Sequence, residues 1–112
     1  MNVSEVGRRP VTGAGVTTPA SITVAYALVL PTTNVRGGVL ECTVVIEGTL
    51  TSRYTVNGTT PTAAVGHLLP APSATVPITL LLRGQAVIEA FRIIGTAGGN
   101  TVTYFFSVCD TR

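Results

Sequence analysis

The residues able to do acid–base chemistry in this 112-residue chain are few and widely spaced. His67 is the only histidine, and the acidic residues are Glu5, Glu41, Glu47, Glu89 and Asp110. Proton-transfer catalysis needs an acid or base held beside a partner. Glu41 and Glu47 share a face of one predicted strand, but about 20 Å of strand separates them, too far for a carboxylate pair. We therefore expect no enzyme active site, and a packing role for His67.

The two cysteines, Cys42 and Cys109, do not indicate a disulfide. Strand alternation places Cys42 with Leu40 and Val44 on an inward face. Cys109 falls with Phe105 on the opposite face of its strand from Tyr104 and Phe106. We predict two free thiols, with Cys42 buried. No Cys/His spacing resembles a zinc site, and the chain has no lysine for a phosphate loop. The sequence thus predicts no metal and no cofactor.

Glu89 has two interpretations. In a predicted strand it lies on the same face as Val87, Phe91 and Ile93, and this face is predicted to point inward. A buried acid needs a partner, and Arg53 across the sheet would provide one. Alternatively, the strand lies at a sheet edge and the carboxylate reaches water. The sequence leaves both interpretations open.

Composition limits the classes of partner. Hydrophobic residues make up 46% of the chain and charged residues 11%, which leaves little polar surface for a free monomer. The net charge is only +2 and the seven arginines are scattered, whereas nucleic-acid binding favours a basic stripe beside aromatic residues. No run of about 18 apolar residues predicts a membrane helix. We expect partner proteins to cover apolar surface, and neither nucleic acid nor membrane as partners.

Alternating apolar residues predict an all-β chain with no helix. The predicted strands cover residues 22–30, 39–47, 50–57, 76–83, 87–94 and 101–108, with 39–57 as a hairpin about Gly48 and a turn at Gly84. These strands predict a single antiparallel β-sandwich or jelly-roll-like domain over residues 22–112. Residues 1–21, which include Arg8, Arg9 and Pro10, predict an extended N-terminal arm. Several strands are apolar on both faces, which again predicts subunit packing.

The segment Ser52–His67 combines a strand with a strong turn signal. Asn57-Gly58 favours the positive φ of a tight turn, and Pro61 provides no donor for a central strand. Arg53 precedes the turn, and Thr62 follows Pro61. The segment therefore predicts a strand, a sharp reversal and a fixed loop.

The amino-acid sequence of this segment resembles that of small virion structural proteins of tailed bacteriophages. Their pattern R-Y/F-T-x-D/N-G-T-x-P-T-A-x-x-G is followed by a strand with F-R-I/F-I, which here is Phe91 to Ile94. The resemblance spans roughly residues 52–108 and ties Arg53, Asn57, Gly58, Pro61, Thr62 and Arg92 to the family pattern. It implies that these residues set and anchor the loop. Asn at position 57 keeps the turn but removes the charge of the commoner Asp.

The resemblance implies a non-enzymatic structural protein, and a capsid decoration or cement protein fits the size and the apolar strands. Such proteins bridge capsomers, so the expected partners are further copies of the chain, with a trimer favoured, and the major capsid protein or other virion proteins. Arg8, Arg9 and Pro10 would belong to an arm that orders on assembly. The segment between Arg9 and Ile22 does not fit a signal peptide, so we expect synthesis in the bacterial cytoplasm and assembly into the virion.

Two alternatives stay open. The chain would also fit a tail, baseplate or head-to-tail connector component. A carbohydrate-binding module with an immunoglobulin-like fold carries similar turns, although sugar sites favour exposed Trp or Tyr. The chain has no Trp, and its tyrosines fall on predicted inward faces.

Overall fold

The computed structural model of the chain describes residues 8–10, 20–30, 38–97 and 99–110. Its elements are nine strands and one short helix within those residues. They are β1 Arg8–Pro10, β2 Ala20–Ser21, β3 Tyr26–Ala27, β4 Gly38–Glu47, β5 Ser52–Thr55, β6 His67–Leu69, β7 Ile78–Arg83, α1 Gln85–Ala90, β8 Arg92–Gly95 and β9 Thr101–Asp110.

The strands form two antiparallel sheets that pack together as a small β-sandwich. Sheet 1 has the order β1-β9-β4-β7, with β2 also paired to β9, and sheet 2 has the order β3-β8-β5-β6. Many pairs are nested along the chain: β1 pairs with β9, β3 with β8, β4 with β7, and β5 with β6. β5 and β6, with the loop between them, are therefore the innermost of these nested pairs.

The core lies between the two sheets. Leu40, Cys42, Val44 and Ile46 of β4 alternate inward, as the sequence predicts for a half-buried strand. The other buried apolar residues come from both sheets, from α1 and from the connections: Ile22, Leu28, Leu69, Leu82, Ile88, Phe91, Ile93, Val102, Tyr104 and Phe106. The predicted strands at β4, β7 and β9 are confirmed. The prediction that Cys42 is a buried free thiol is also confirmed, whereas the side chain of Cys109 lies outside the description.

The prediction of a strand over residues 87–94 with no helix is wrong at its first half. Residues 85–90 form α1, which follows Gly84 in a positive-φ conformation and buries only Ile88. Gln, Ala and Glu are good helix formers, so local propensity agrees with the observed turn of helix. Glu89 is exposed on this helix and accepts a hydrogen bond from Gln85 Nε2 at 3.0 Å. Neither a buried pair with Arg53 nor an edge strand describes it.

The predicted hairpin over residues 39–57 is also wrong, because β4 lies in sheet 1 and β5 in sheet 2. Buried Asn100 holds the crossing: its Oδ1 accepts from Leu50 N at 3.2 Å, and its Nδ2 donates to Leu50 O at 2.6 Å and to Ser52 Oγ at 2.9 Å. Gly48 has φ 135°, and a Cβ there would lie 2.1 Å from Asn100 Oδ1. The connection is thus an arch between sheets.

The predicted strand over residues 22–30 is reduced to the two residues of β3. Ile22 and Leu28 are buried as expected, but Val24 is 72% exposed. Ile22 N donates to Asn100 O, next to β9 of sheet 1, and Ile22 O accepts from Gly95 N of β8 in sheet 2. The backbone of Ile22 therefore connects the two sheets. Strand β6 lies in a segment predicted as loop.

Candidate interaction surfaces

The loop between β5 and β6 is fastened to β5 by Arg53. Its Nε donates to Ala63 O at 3.0 Å and its Nη1 donates to Gly66 O at 2.8 Å. A guanidinium presents several donors in a fixed plane, so one side chain holds two carbonyl oxygens of the loop. Residue 53 lies on the outer face of sheet 2, between Leu68 and Ile94 in register.

The turn after β5 has the geometry that its sequence predicts. Gly58 has φ 84°, and Asn57 Oδ1 accepts a hydrogen bond from Thr59 N at 3.0 Å. Gly58 N donates to Ala90 O at 3.3 Å, which ties the turn to the end of α1. Asn57 is exposed and carries no charge, so the turn offers backbone dipoles to solvent but no carboxylate ligand for a cation.

Pro61 and Thr62 lie in the middle of the same loop. Pro61 is fully buried. Thr62 Oγ1 accepts from Ala64 N at 3.2 Å and from Val65 N at 3.1 Å, forming a local turn that needs no partner outside the loop. The loop is therefore held from within as well as by Arg53.

Arg92 lies close to this loop but does not hold it. Its Nη1 donates to Glu89 O and to Phe91 O, both at 2.8 Å, at the end of α1. In register, Arg92 lies opposite Thr55 on β5. The two segments of the virion-protein pattern are therefore neighbouring antiparallel strands, a placement that their sequence separation does not indicate.

The outer face of sheet 1 exposes apolar side chains in one row. Leu81 on β7 and Phe105 on β9 lie on either side of Thr43 on β4. Leu81 is 49% exposed and Phe105 is 50% exposed, and Val45 is partly buried in the next row. We call Thr43, Val45, Leu81 and Phe105 the outer apolar patch. The strands beneath it are paired residue by residue without a bulge.

An ion pair borders the outer apolar patch. Glu41 Oε2 lies 2.7 Å from Arg83 Nε, and the Glu41 side chain is 1% exposed although it is on the outward side of β4. Because Leu40 and Cys42 lie on the inward face, strand alternation predicts that Glu41 faces water, and this prediction is wrong. A buried carboxylate requires charge pairing, which Arg83 on the adjacent strand provides. Glu47, at the other end of β4, is exposed.

Residues Arg8, Arg9 and Pro10 lie on β1. Their backbone is opposite Cys109, Val108 and Ser107 of β9, and their side chains lie outside the description. β2 pairs farther along the same strand, at residues 101–102. Residues 1–7 and 11–19 of the predicted arm also lie outside the described residues.

The buried ionisable groups are arranged for packing. Burial raises the pKa of the Cys42 thiol to about 12, so the nucleophilic thiolate is absent near neutral pH. Burial, and in second place the hydrogen bond between the Tyr104 and Tyr26 hydroxyls, raise the pKa of Tyr104 to about 12. The Tyr104 hydroxyl lies 3.0 Å from that of Tyr26 and accepts from Val29 N at 2.9 Å. His67 is exposed, and its ring centroid lies 5.2 Å from that of Tyr54.

Within residues 8–10, 20–30, 38–97 and 99–110 there is no cavity and no group of three potential metal ligands. No helix in that part of the chain is long and apolar enough to cross a membrane. Comparisons with protein-family models, curated proteins and solved structures found no match to this chain. The surface features above are therefore the basis for any functional proposal.

Proposed function

We propose that this chain is a non-enzymatic structural protein of a tailed-phage particle, and within the particle a capsid decoration or cement protein. The observation that carries the proposal is the outer apolar patch, where Leu81 and Phe105 are each about half exposed on the outer face of sheet 1. Fully burying a Leu or Phe side chain contributes roughly 1.5–3 kcal/mol. Contact with another protein would therefore gain about 1 kcal/mol from each of these side chains.

The strand order supports a jelly roll, which is the finer form of the fold that we propose. A jelly roll is a long antiparallel hairpin wound into two sheets of four strand positions. The orders β1-β9-β4-β7 and β3-β8-β5-β6 fit that description, with β1 and β2 sharing one position. Jelly rolls occur in viral capsid proteins, and this likeness supports the proposal only as an analogy of fold.

The resemblance to virion proteins also supports the proposal, because its two segments form neighbouring strands β5 and β8. The proposed partners are the major capsid protein or other virion proteins, and further copies of the chain, with a trimer favoured by class analogy. Nucleic acid and membrane are not proposed as partners. The proposed location is the virion, after assembly in the bacterial cytoplasm. Residues 1–18, of which 8–10 form β1, would give a second contact with the shell.

Co-sedimentation with heads that lack the chain tests this proposal. The purified chain should bind saturably, and deletion of residues 1–7, which precede β1, should weaken binding while the circular dichroism of the β fold is retained. Phe105→Arg should weaken binding at least tenfold, because it puts a charge into the apolar contact. Val24→Arg is the matched control, since Val24 is 72% exposed and lies outside both sheets.

Absence of binding by the wild-type chain would contradict the decoration role. Binding to isolated tails instead of heads would support the tail, baseplate or connector alternative. Polysaccharide binding by a monomer would support the carbohydrate-module alternative. The tyrosines do not favour it, since Tyr104 is buried and Tyr26 and Tyr54 are partly buried.

A further inference from the structure

The edges of the two sheets differ in length. Among the described residues, sheet 2 ends in β3 with two residues and β6 with three. Sheet 1 ends on one side in β1 and β2, with three and two residues. Its other edge is β7, which has six residues. Short edge strands resist pairing with another chain, so β7 is the edge best suited to accept one.

Strand β7 lacks the features that usually block edge pairing. Its sequence is Ile-Thr-Leu-Leu-Leu-Arg, with no proline within the strand and no charge before Arg83. It pairs residue by residue with β4 from Ile78 to Arg83, without a bulge. Arg83 is itself paired with Glu41 at 2.7 Å. The outward edge of β7 therefore presents a straight row of backbone donors and acceptors.

We propose that β7 is a self-association edge, where a second copy of this chain pairs antiparallel with β7 across a two-fold axis at Leu81. The proposal specifies the contact for the self-association that the proposed function includes, and it rests on that function for this expectation. Directly opposed residues in an antiparallel pair share a face of the sheet. Side chains alternate between the two faces, so paired residues of the two copies share a face only if their numbers are both odd or both even. Only these registers keep the inward and outward faces aligned.

Two registers keep the faces aligned and pair five residues of each β7, one with the two-fold axis at Leu81 and one with the axis at Leu80. The side chains fit the axis at Leu81 better. With the axis at Leu81, the two Leu81 side chains, each 49% exposed in one copy, cover each other. On the inward side, Leu80 lies opposite Leu82 of the second copy. An axis at Leu80 would instead place Leu81 opposite Thr79 and bring Pro77, which has no N–H, into the extended ladder.

The charges on β7 favour a second copy as the occupant. With the axis at Leu81, Arg83 lies opposite Thr79 of the second copy, and the two Arg83 side chains are about 13 Å apart along the strands. No like charges are therefore opposed across the axis. The contact is isologous, so it predicts a dimer, or an even number of copies if a three-fold contact also exists.

Site-directed disulfide cross-linking tests the register. In a Cys109→Ser background, Leu81→Cys should give a covalent dimer on mild oxidation, because directly opposed Cβ atoms lie about 4.5–5.5 Å apart. Thr79→Cys is the matched control on the same face of the same strand, and its two thiols would be about 13 Å apart. Buried Cys42 is retained, since its raised pKa keeps it as a thiol. Equal cross-linking of both variants, or of neither, would overturn the proposal.

Light scattering coupled to size exclusion, repeated over concentration, tests the association itself. The wild-type chain should reach twice its monomer mass of 11.5 kDa, or a higher even multiple of it, and a trimer with no even-numbered species would contradict the pairing. Leu81→Arg should raise the dissociation constant at least tenfold, because it opposes two positive charges at the axis. Leu68→Arg is the control, since Leu68 is 56% exposed on the competing edge β6, and it should leave the constant unchanged.

A monomer at every concentration, or dissociation by Leu68→Arg and not by Leu81→Arg, would overturn the pairing at β7. Neither result would contradict the decoration role, which depends on binding to heads. Conversely, a dimer that cross-links at Leu81 but does not sediment with heads would support the pairing and contradict the decoration role.

Discussion

Replacing Asn100 by alanine should destabilise the arch that connects β4 in sheet 1 to β5 in sheet 2, and so lower the free energy of unfolding. The side chain is 1% exposed and makes three hydrogen bonds, two to the backbone of Leu50 and one to Ser52 Oγ. Losing a hydrogen bond costs about 0.5–1.5 kcal/mol, and leaving a buried partner unsatisfied costs about 1–3 kcal/mol. Leu50 is partly exposed and regains water, whereas Ser52 is buried. We expect a total loss of about 2–5 kcal/mol.

Urea unfolding followed by circular dichroism measures this loss. With a slope of about 1–3 kcal/mol per molar urea for a small protein, a loss of this size should lower the midpoint by roughly 0.7–5 M. Ser52→Ala and the double variant complete a cycle, and the coupling energy between the two positions should be about 0.5–3 kcal/mol. A loss below about 0.5 kcal/mol for Asn100→Ala, typical of a surface change, would refute the assigned role of the arch.

Three further predictions concern stability and pH. Gly48→Ala should lower the free energy of unfolding by about 1–3 kcal/mol more than Gly84→Ala, because both positions have positive φ but only the new Cβ at 48 meets Asn100; equal losses by thermal melting would contradict this. Arg53→Lys should speed proteolysis within residues 57–66, since one ammonium replaces a guanidinium that holds two loop carbonyls, and unchanged cleavage would count against the anchor. Burial raises the pKa of Cys42 from 9.0 to about 12, so between these values the unfolded chain loses a proton that the folded chain keeps, and the free energy of unfolding should fall by about 1.4 kcal/mol per pH unit. Cys42→Ala should reduce that slope above pH 9, and an unchanged slope in urea titrations would refute the assignment.

Local pattern predicts the strands that have one buried face and one open face. β4, β7 and β9 alternate strongly, and their predicted bounds lie within two residues of the observed ones. The arch after β4 could not be predicted, because it depends on Asn100, about 50 residues farther along the chain. The sequence pattern favours a strand over α1 because Val87 shares a strand face with Phe91 and Ile93. The packing of Ile88 in the core adds to the local helix propensity of Gln85, Ala86 and Glu89 and decides for the helix.

The candidate surfaces were predictable in kind but not in place. The excess of apolar residues over charged ones indicates exposed apolar surface, and the outer apolar patch is one such surface. Its row of Leu81, Thr43 and Phe105 depends on strand register, which a single sequence does not reveal. The burial of Glu41 depends in the same way on Arg83 in the neighbouring strand. The edge position of β7 requires the strand order of the whole sheet.

The proposed role as a head decoration protein is tested most directly by quantitative mass spectrometry of gradient-purified phage particles, with heads and tails separated before digestion. The account predicts that peptides of this chain are found with the heads, in a fixed ratio to the major capsid protein. Peptides confined to the tails would contradict the decoration role, and their absence from the particles would contradict a virion protein altogether.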